Sequence, residues 1–300
     1  IEILTSISNQ SDKLKIIKGS PKPSDWLGKP WACHQLSLQA TSDILIYIDA
    51  DVWLEKNAVS KAVTELKTFD TITIWPQQEL FSFWEKQAIP LIYFALFTLL
   101  PAKYVERSPK WLPHFLRKKL SPKFAAACGQ FLAFNRSAYL KTGGHESVKA
   151  EIVEDVALAK GIKANELTLK MLHGINSVYC RMYSSNLELW NGLRKNFFEG
   201  FNRNIFSFGI MALLHVIVFV LPFITFIYGF STNDSSLIIL SSVALIITFI
   251  QRALLNYLMR WDIYSAFTHI VGVLWFQALG IRCVRDYLLN KKVTWKDRSL

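Results

Sequence analysis

The chain has 300 residues, 51% of them hydrophobic and 14% aromatic, and its 34 Lys and Arg against 23 Asp and Glu give a net charge of +11. A mean hydropathy of +0.23 excludes a disordered or collagen-like chain and is too apolar for an ordinary soluble enzyme. Basic and apolar together, the composition points to an anionic membrane surface rather than to nucleic acid. Cys33, Cys128, Cys180 and Cys283 are scattered without a CxxC pair. That gives neither a zinc site nor a disulfide framework and fits a reducing compartment. The chain opens IEILTSISNQ without an initiator Met, so a preceding segment is expected.

In chain order, Leu14-Lys15-Ile16-Ile17 reads as a short strand and Leu36 to Ala40 as helix. Ile44 to Ile48 is a continuous apolar run of the kind found in buried parallel strands. Asn57 to Phe69 has helical spacing through Ala58, Val59, Ala62, Val63 and Leu66, and Thr71 to Trp75 is the next strand. Strand alternating with helix predicts a doubly wound α/β domain. An insertion at about 85–124 breaks the alternation. Ala88 to Ala102 is uncharged, holds Pro90 and Pro101, and is too short to span a bilayer at about 1.5 Å per residue. Lys103 to Lys123 then brings seven basic residues against Glu106 alone, among Trp111, Phe115 and Phe124. The pair reads as an interfacial element on anionic headgroups, or else as a helical hairpin packed on the domain.

The C-terminal third has a different solvent. No Asp, Glu, Lys or Arg occurs from Asn204 to Asn233; a second run covers Ser235 to Gln251 and a third Ile263 to Ile281. The first is long enough for a hydrocarbon core of about 30 Å. Buried core helices are rarely apolar on every face at such length, so 204–282 is expected to be transmembrane. Basic residues flank both ends: Arg194, Lys195 and Arg203 before, Arg282, Arg285, Lys291 and Lys292 after. Both flanks favour the cytoplasm, yet three full spans would separate them. Either one run is re-entrant or interfacial, or the tail 283–300 lies outside.

The sharpest local motif is IYIDADV at 46–52. A strand delivers Asp49 and Asp51 at its end, and their i,i+2 spacing points both to one face. Ligands of open α/β sheets bind beyond the carboxyl ends of the strands. Two carboxylates there can hold a hard divalent cation that bridges phosphate oxygens, although a strand-end turn with Asp as a helix cap explains the triplet alone equally well. Upstream, SDWLGKPWACHQL at 24–36 is a Gly-Lys turn entering a helix, whose first amides together with Lys29 suit a diphosphate. Downstream come CGQFLAFNRSAYLKTGGH at 128–145 and EIVEDVALAKGIK at 151–163, where Glu154 and Asp155 open an apolar-periodic helix. A helix cap uses one acid and leaves the other free.

In that order the motifs resemble the family 2 glycosyltransferases of the GT-A fold, and more narrowly the membrane-anchored members that glycosylate lipids: ceramide glucosyltransferase-like, hopanoid-associated and diaponeurosporenoate-type enzymes. The resemblance runs from about Asp25 to the C-terminus and includes VTWKDR at 293–298, with Asp297 where the family has Gly. It implies a Rossmann-like nucleotide-sugar domain over 1–203 followed by the membrane helices. Asp49 and Asp51 would then meet the nucleotide ribose and a Mg²⁺ or Mn²⁺ ion, Gly129 and Gln130 would line the donor-sugar pocket, and Asp155 would be the general base with Glu154 beside it. Trp190 and Arg194 stand where relatives carry a [QR]-x-x-R-W element, here in another order, and are assigned to the donor.

The resemblance also implies inverting transfer from a nucleotide sugar, UDP-linked in most such enzymes, to a lipid on the cytoplasmic side of a bacterial inner membrane. A base-reading acid and a second acidic pair, found early in the family, do not occur. Three other readings compete. A degenerate scaffold is disfavoured by retention of Asp49, Asp51 and Asp155. A transporter subunit would have only Arg252, His215 and His269 as intramembrane ionisable groups. A polysaccharide synthase would need a channel lined by more helices.

Overall fold

The computed structural model describes residues 2–299 except 11, 100, 101, 108, 109, 202, 292, 293, 296 and 297. In the VTWKDR motif, 293, 296 and 297 therefore lie outside the described residues. The first half runs α1 (Glu2–Ser8), α2 (Gly28–Gln39), β1 (Ile44–Ile48), β2 (Val52–Leu54), α3 (Ala58–Glu65), β3 (Thr71–Trp75), β4 (Gln77–Gln78), α4 (Phe83–Leu99), α5 (Ala102–Glu106) and α6 (His114–Leu120). There follow β5 (Phe131–Asn135), α7 (Arg136–Lys141), α8 (Glu154–Ala164), β6 (Leu169–His173), β7 (Val178–Cys180) and α9 (Asn186–Phe197). The chain closes with α10 (Ile205–His215), α11 (Leu221–Thr232), α12 (Ser235–Leu258), α13 (His269–Leu288), β8 (Thr294–Trp295) and β9 (Arg298–Ser299).

The fold class is α/β. The main sheet has the order β1-β5-β3-β6, with β5 antiparallel to both neighbours and β3 parallel to β6. A smaller sheet, β2-β7-β4, stands beside it. Two expectations are corrected. Leu14 to Ile17 form no strand; Lys15 and Ile16 are open to solvent, and among the described residues the segment pairs with no strand to complete a ladder. Ile44 to Ile48 is a strand, but an edge strand with one antiparallel neighbour rather than a buried parallel one. Of its residues only Leu45 is buried. The doubly buried positions belong to β3 and β5, where Thr71–Ile74 and Phe131–Phe134 are covered on both faces. One face of the sheet packs Leu132, Phe134, Leu158 and Ile162; the other packs Ala58, Ala62, Ile72 and Phe131.

The uncharged runs become helices. Ile205–Thr232, Ser235–Leu258 and Ile263–Leu288 are each long and apolar enough to cross a membrane. The first is continuous through a π turn at Val216–Val220. Asn233, with φ +54, ends α11, and the Asp234 carboxylate accepts from the Ser236 and Leu237 amides to start α12, which makes a tight helical hairpin. Phe206, Leu213, Phe223, Ile227, Leu240, Ile246 and Ile250 stand exposed on it. An apolar surface of this extent fits lipid rather than water. The chain is thus an α/β domain followed by a membrane-associating helical region.

The third helix differs. It is packed against α4 and α9, and Gly272 and Gly280 let it approach Gln87 and Phe208 closely. Ala88, Ile89, Tyr93 and Phe94 of α4 are buried in the same cluster as Leu189, Phe208, Leu255 and Trp275. The uncharged insertion is therefore a packed helix along its first three turns, with Phe97 and Thr98 open near its end.

Candidate active site

The site assembles where β1 ends, α2 begins and α8 begins. Lys29 lies in the first turn of α2, followed by Pro30, which fits there because first-turn amides have no intrahelical acceptor. Its ammonium is 2.8 Å from Asp49 Oδ1, 3.0 Å from Glu154 Oε1 and 3.4 Å from the Gly129 carbonyl. One cation thus ties together three chain segments separated by up to 125 positions. Burial works against its charge, but the carboxylates of Glu154 and Asp49 outweigh that and hold it protonated well above the usual lysine range.

Asp155 is fixed from two sides. The Gly129 amide donates to Oδ2 at 2.6 Å and the Val156 amide donates to Oδ1 at 2.8 Å. Burial and the neighbouring Glu154 charge push its carboxyl up to about 6, with Lys29 and the two amides acting in the opposite direction. A carboxylate tuned to that range can take a proton near neutrality. Gly129 is needed for close approach: a Cβ there would lie 2.9 Å from Lys29 Nζ and 3.2 Å from Asp155 Oδ2. Burial and the Asp49 charge raise Asp51, and the Cys180 thiol donates a hydrogen bond to its carboxylate.

Of the residues singled out in the sequence, the structure gathers Lys29, Asp49, Gly129, Glu154 and Asp155, with Asp51 adjacent through Asp49. Gln130 is placed differently. It is buried, its Nε2 donates to Cys180 Sγ at 2.9 Å, and its Oε1 accepts from Gln78 Nε2 at 2.8 Å. Its side chain braces the strand end instead of facing an open pocket. Trp190 and Arg194 are not brought to this cluster. Trp190 stands edge-on to Trp275 at 5.0 Å, and Arg194 pairs with Asp286 at 3.6 Å, so both dock α9 on α13. The physical reason is helical phase, since the face of α9 carrying those two is its α13 face.

Lys195, one residue on, is the group that sequence reasoning missed. Burial lowers its ammonium, while the charges of Glu154, Asp155 and Asp49 favour it and that of Lys29 opposes it, which places it in the electrostatic field of the site. Its only sequence signal was membership of the basic flank at 194–203. The GGH turn, by contrast, is structural. Gly143 and Gly144 take φ +79 and +52, and the Tyr139 hydroxyl meets His145 Nδ1 at 2.8 Å inside the core.

Two carboxylates at one strand end, with Asp51 raised by the charge of Asp49, form a pair that a divalent cation would relieve. Among the described residues no group of three or more His, Cys, Asp and Glu forms a self-sufficient metal cluster. Ions of the Mg²⁺ type need only one or two protein carboxylates when substrate phosphates supply the rest. The donor set therefore fits such an ion in company with a phosphorylated ligand.

No family model matches the chain. Curated relatives do. The 4,4'-diaponeurosporenoate glycosyltransferase of Staphylococcus haemolyticus is 25% identical over 180 residues, which is 60% of this chain and 44% of that protein. The enzyme of the same name from Staphylococcus aureus strain USA300 is also 25% identical over 180 residues, 58% of this chain and 44% of that protein. The chain is similar to glycosyltransferases of this name. It spans less than half the length of the glycosyltransferases it matches. A solved mannosyltransferase from Pyrobaculum calidifontis, in complex with GDP-Man and Mn²⁺, aligns over 97% of this chain and 74% of its own at 14% identity and a TM-score of 0.49.

Proposed function

We propose that this glycosyltransferase relative carries the catalytic core of a membrane-associated enzyme that moves a sugar, with inversion, from a nucleotide-sugar donor to a lipid acceptor. The observation that carries the reading is the Lys29–Asp49–Glu154 ion cluster directly behind Asp155. An ammonium locked at a helix start suits an anionic diphosphate, while the partly buried Asp155 carboxylate, raised toward neutrality, is linked to it by two hydrogen bonds through Gly129. Asp155 takes the proton of an acceptor hydroxyl as that oxygen attacks the anomeric carbon. For a carboxylate acceptor it only positions the attacking group. Lys29 and Lys195 hold the diphosphate and Gly129 leaves room beside the base. Asp49 and Asp51 would hold Mg²⁺ or Mn²⁺ together with the donor phosphates, and such an ion, when bound, neutralises charge on the leaving diphosphate. A UDP-sugar is the proposed donor. The relatives' name gives 4,4'-diaponeurosporenoate as their acceptor, and a lipid-like acceptor suits a site built beside apolar helices.

The domain is proposed to face the cytoplasm from a bacterial inner membrane, with two crossings rather than three. Arg194, before the helices, is 3.6 Å from Asp286, near their end, and Phe198 stacks edge-on with Tyr287 at 5.3 Å. These contacts support a reading with both basic flanks on one side and hence an even number of crossings. The α11–α12 hairpin supplies them, and the third helix, packed on α4 and α9, stays with the domain. This arrangement satisfies the positive-inside preference of both flanks.

The test is to incubate the full chain in membranes with a panel of sugar nucleotides and extracted lipids and to identify the product by mass spectrometry. Transfer that disappears in Asp155→Asn, with donor binding retained, is the expected result. No product from any donor, in folded protein that binds none of the nucleotides, would overturn the reading.

A further inference from the structure

Arg252 is the least expected residue in the helical region. It lies in α12 between apolar turns, its side chain is fully buried, and among the described residues it has no carboxylate partner. Part of the reason is backbone chemistry. Pro90 inside α4 has no N–H, so the Lys86 carbonyl four residues earlier lacks its helical donor. Arg252 Nη2 fills that place at 2.9 Å, and its Nε donates to Asn256 Oδ1 at 3.0 Å. One of its three nitrogens thereby pins the hairpin to α4 at the Pro90 turn, and a second is held by Asn256.

The third nitrogen is unexplained by packing. Arg252 Nη1 is buried without an acceptor. Around it, His269 leaves both ring nitrogens unpartnered although the residue is 5% exposed, and Gln87 leaves Oε1 unpartnered at 1%. The three come from α12, α13 and α4. Gln87 follows Lys86, whose carbonyl holds Arg252, and the Gln87 carbonyl lies against Gly272, one helical turn after His269. His269 also lies in the field of Arg252 and His215. The rings of Phe94 and Phe219 stand against His269 at 5.4 and 5.0 Å and make the apolar wall. Phe219 belongs to the π turn at Val216–Val220, a distortion that recurs at functional sites.

We propose that Arg252, His269 and Gln87 form a binding site for the anionic head group, carboxylate or phosphate, of a membrane amphiphile. A buried cation with an unused donor, beside an imidazole with an unused donor, calls for an anionic oxygen. Gln87 turns its amide to give or accept the remaining hydrogen bond. The depth agrees. Arg252 lies six residues from the end of α12, roughly 9 Å along the helix, which puts it close to the domain-side head-group region if the α11–α12 hairpin is what crosses. A lipid of that leaflet, entering past Phe219, would lay its chains along the exposed apolar face of the hairpin. The proposal uses no residue of the Lys29–Asp155 cluster and does not depend on the transferase reading.

The test is native mass spectrometry of the full chain, stripped of lipid in detergent and offered palmitate, phosphatidylglycerol, neutral diacylglycerol or inorganic phosphate. The wild-type protein is expected to retain palmitate or phosphatidylglycerol, and whichever it retains names the source of the anion. Arg252→Gln is expected to weaken that binding about tenfold, the loss of one charge-assisted hydrogen bond. Should Arg252→Gln fail to fold, His269→Phe carries the test, because it leaves the bonds of Arg252 to Asn256 and Lys86 intact; the same order of loss is expected. Retention of diacylglycerol equal to that of the anionic lipids, or unchanged binding in a folded variant, would overturn the proposal. So would displacement of the lipid by inorganic phosphate at equal concentration, since the site would then serve a soluble anion.

Discussion

Removing the Lys29 charge is the most informative perturbation of the site. In Lys29→Met the ammonium that contacts Asp49 and Glu154 at 2.8 and 3.0 Å is replaced by an apolar group of similar length. Asp155 stands at about 6 because burial and the Glu154 charge raise it while Lys29 lowers it. The substitution removes the lowering influence and leaves Glu154 without its partner, so both changes raise Asp155 further. An opposite charge at this range is worth about 1 to 3 pH units. The Lys29 side chain is 42% exposed, water screens it, and the low end, about 1 unit, is the expected shift. A general base works only when ionised, so wild-type kcat should rise with pH through about 6, and the variant's rise should come about one unit higher. The assay is the pH profile of kcat at saturating donor in lipid nanodiscs, with Lys29→Arg as the charge-keeping control. Donor KM is expected to rise as well, since Lys29 is proposed to hold the diphosphate, which is why kcat and not kcat/KM is read. An acid limb that stays in place, or moves to lower pH, would show that Asp155 is not the ionisation that governs turnover.

Asp51→Asn should abolish transfer with an unchanged circular dichroism spectrum and should no longer quench the free Mn²⁺ signal in a paramagnetic resonance titration with nucleotide; near-normal turnover with added Mn²⁺ or Mg²⁺ would remove the metal assignment. Lys195→Gln should raise donor KM with little change in the thermal midpoint. Arg194→Gln should do the reverse, lowering the midpoint through loss of the partly buried pair with Asp286; interchange of the two results would put Arg194 at the donor. On the insertion, Trp111 and Phe115 are 69% and 73% exposed, whereas Arg117 is held by the Lys110 and Leu112 carbonyls. Trp111→Ser with Phe115→Ser should therefore raise the lipid KM in anionic liposomes and leave the donor KM alone, and an unchanged lipid KM would make the segment a packed hairpin.

What could be read from the sequence was local. A strand ending in Asp49 and Asp51, a helix opening on Lys29 and another on Glu154 and Asp155 are each set by patterns within a dozen residues, and the structure brings those ends together. The apolar run at 44–48 was recognisable as a strand but not as an edge, because edge status depends on whether a neighbour is present and the run itself is silent about that. Trp190 and Arg194 were misplaced for the same kind of reason. A motif compared by residue type carries no helical phase, and one position along α9 separates Arg194, on α13, from Lys195, near the site. The helices were legible from charge spacing alone, while the proposed pair of crossings was not, since it is argued from contacts such as Arg194 with Asp286 between positions 92 apart.

The boundary that composition draws near 203 is not a boundary in packing. One buried cluster holds Tyr93 of α4, Leu189 of α9, Phe208 of α10, Leu255 of α12 and Trp275 of α13. From that cluster a chain of hydrogen bonds reaches the site. Trp261, in the turn after α12, donates Nε1 to the Gln78 carbonyl at 2.8 Å, and Gln78 Nε2 donates to Gln130 Oε1 at 2.8 Å. The Gln130 carbonyl accepts the Asp49 amide at 3.2 Å. Tyr93 adds a second strut, its hydroxyl donating to the Pro76 carbonyl at 2.8 Å. Three bonds thus separate the membrane-facing turn from the carboxylate pair. Buried amide networks with every member satisfied hold one geometry. Under the proposed function, with a donor from water and an acceptor from lipid, that rigidity would have a use: it would fix the height of Asp155 relative to the apolar helices, so that the helices would position the proposed base as well as anchor it.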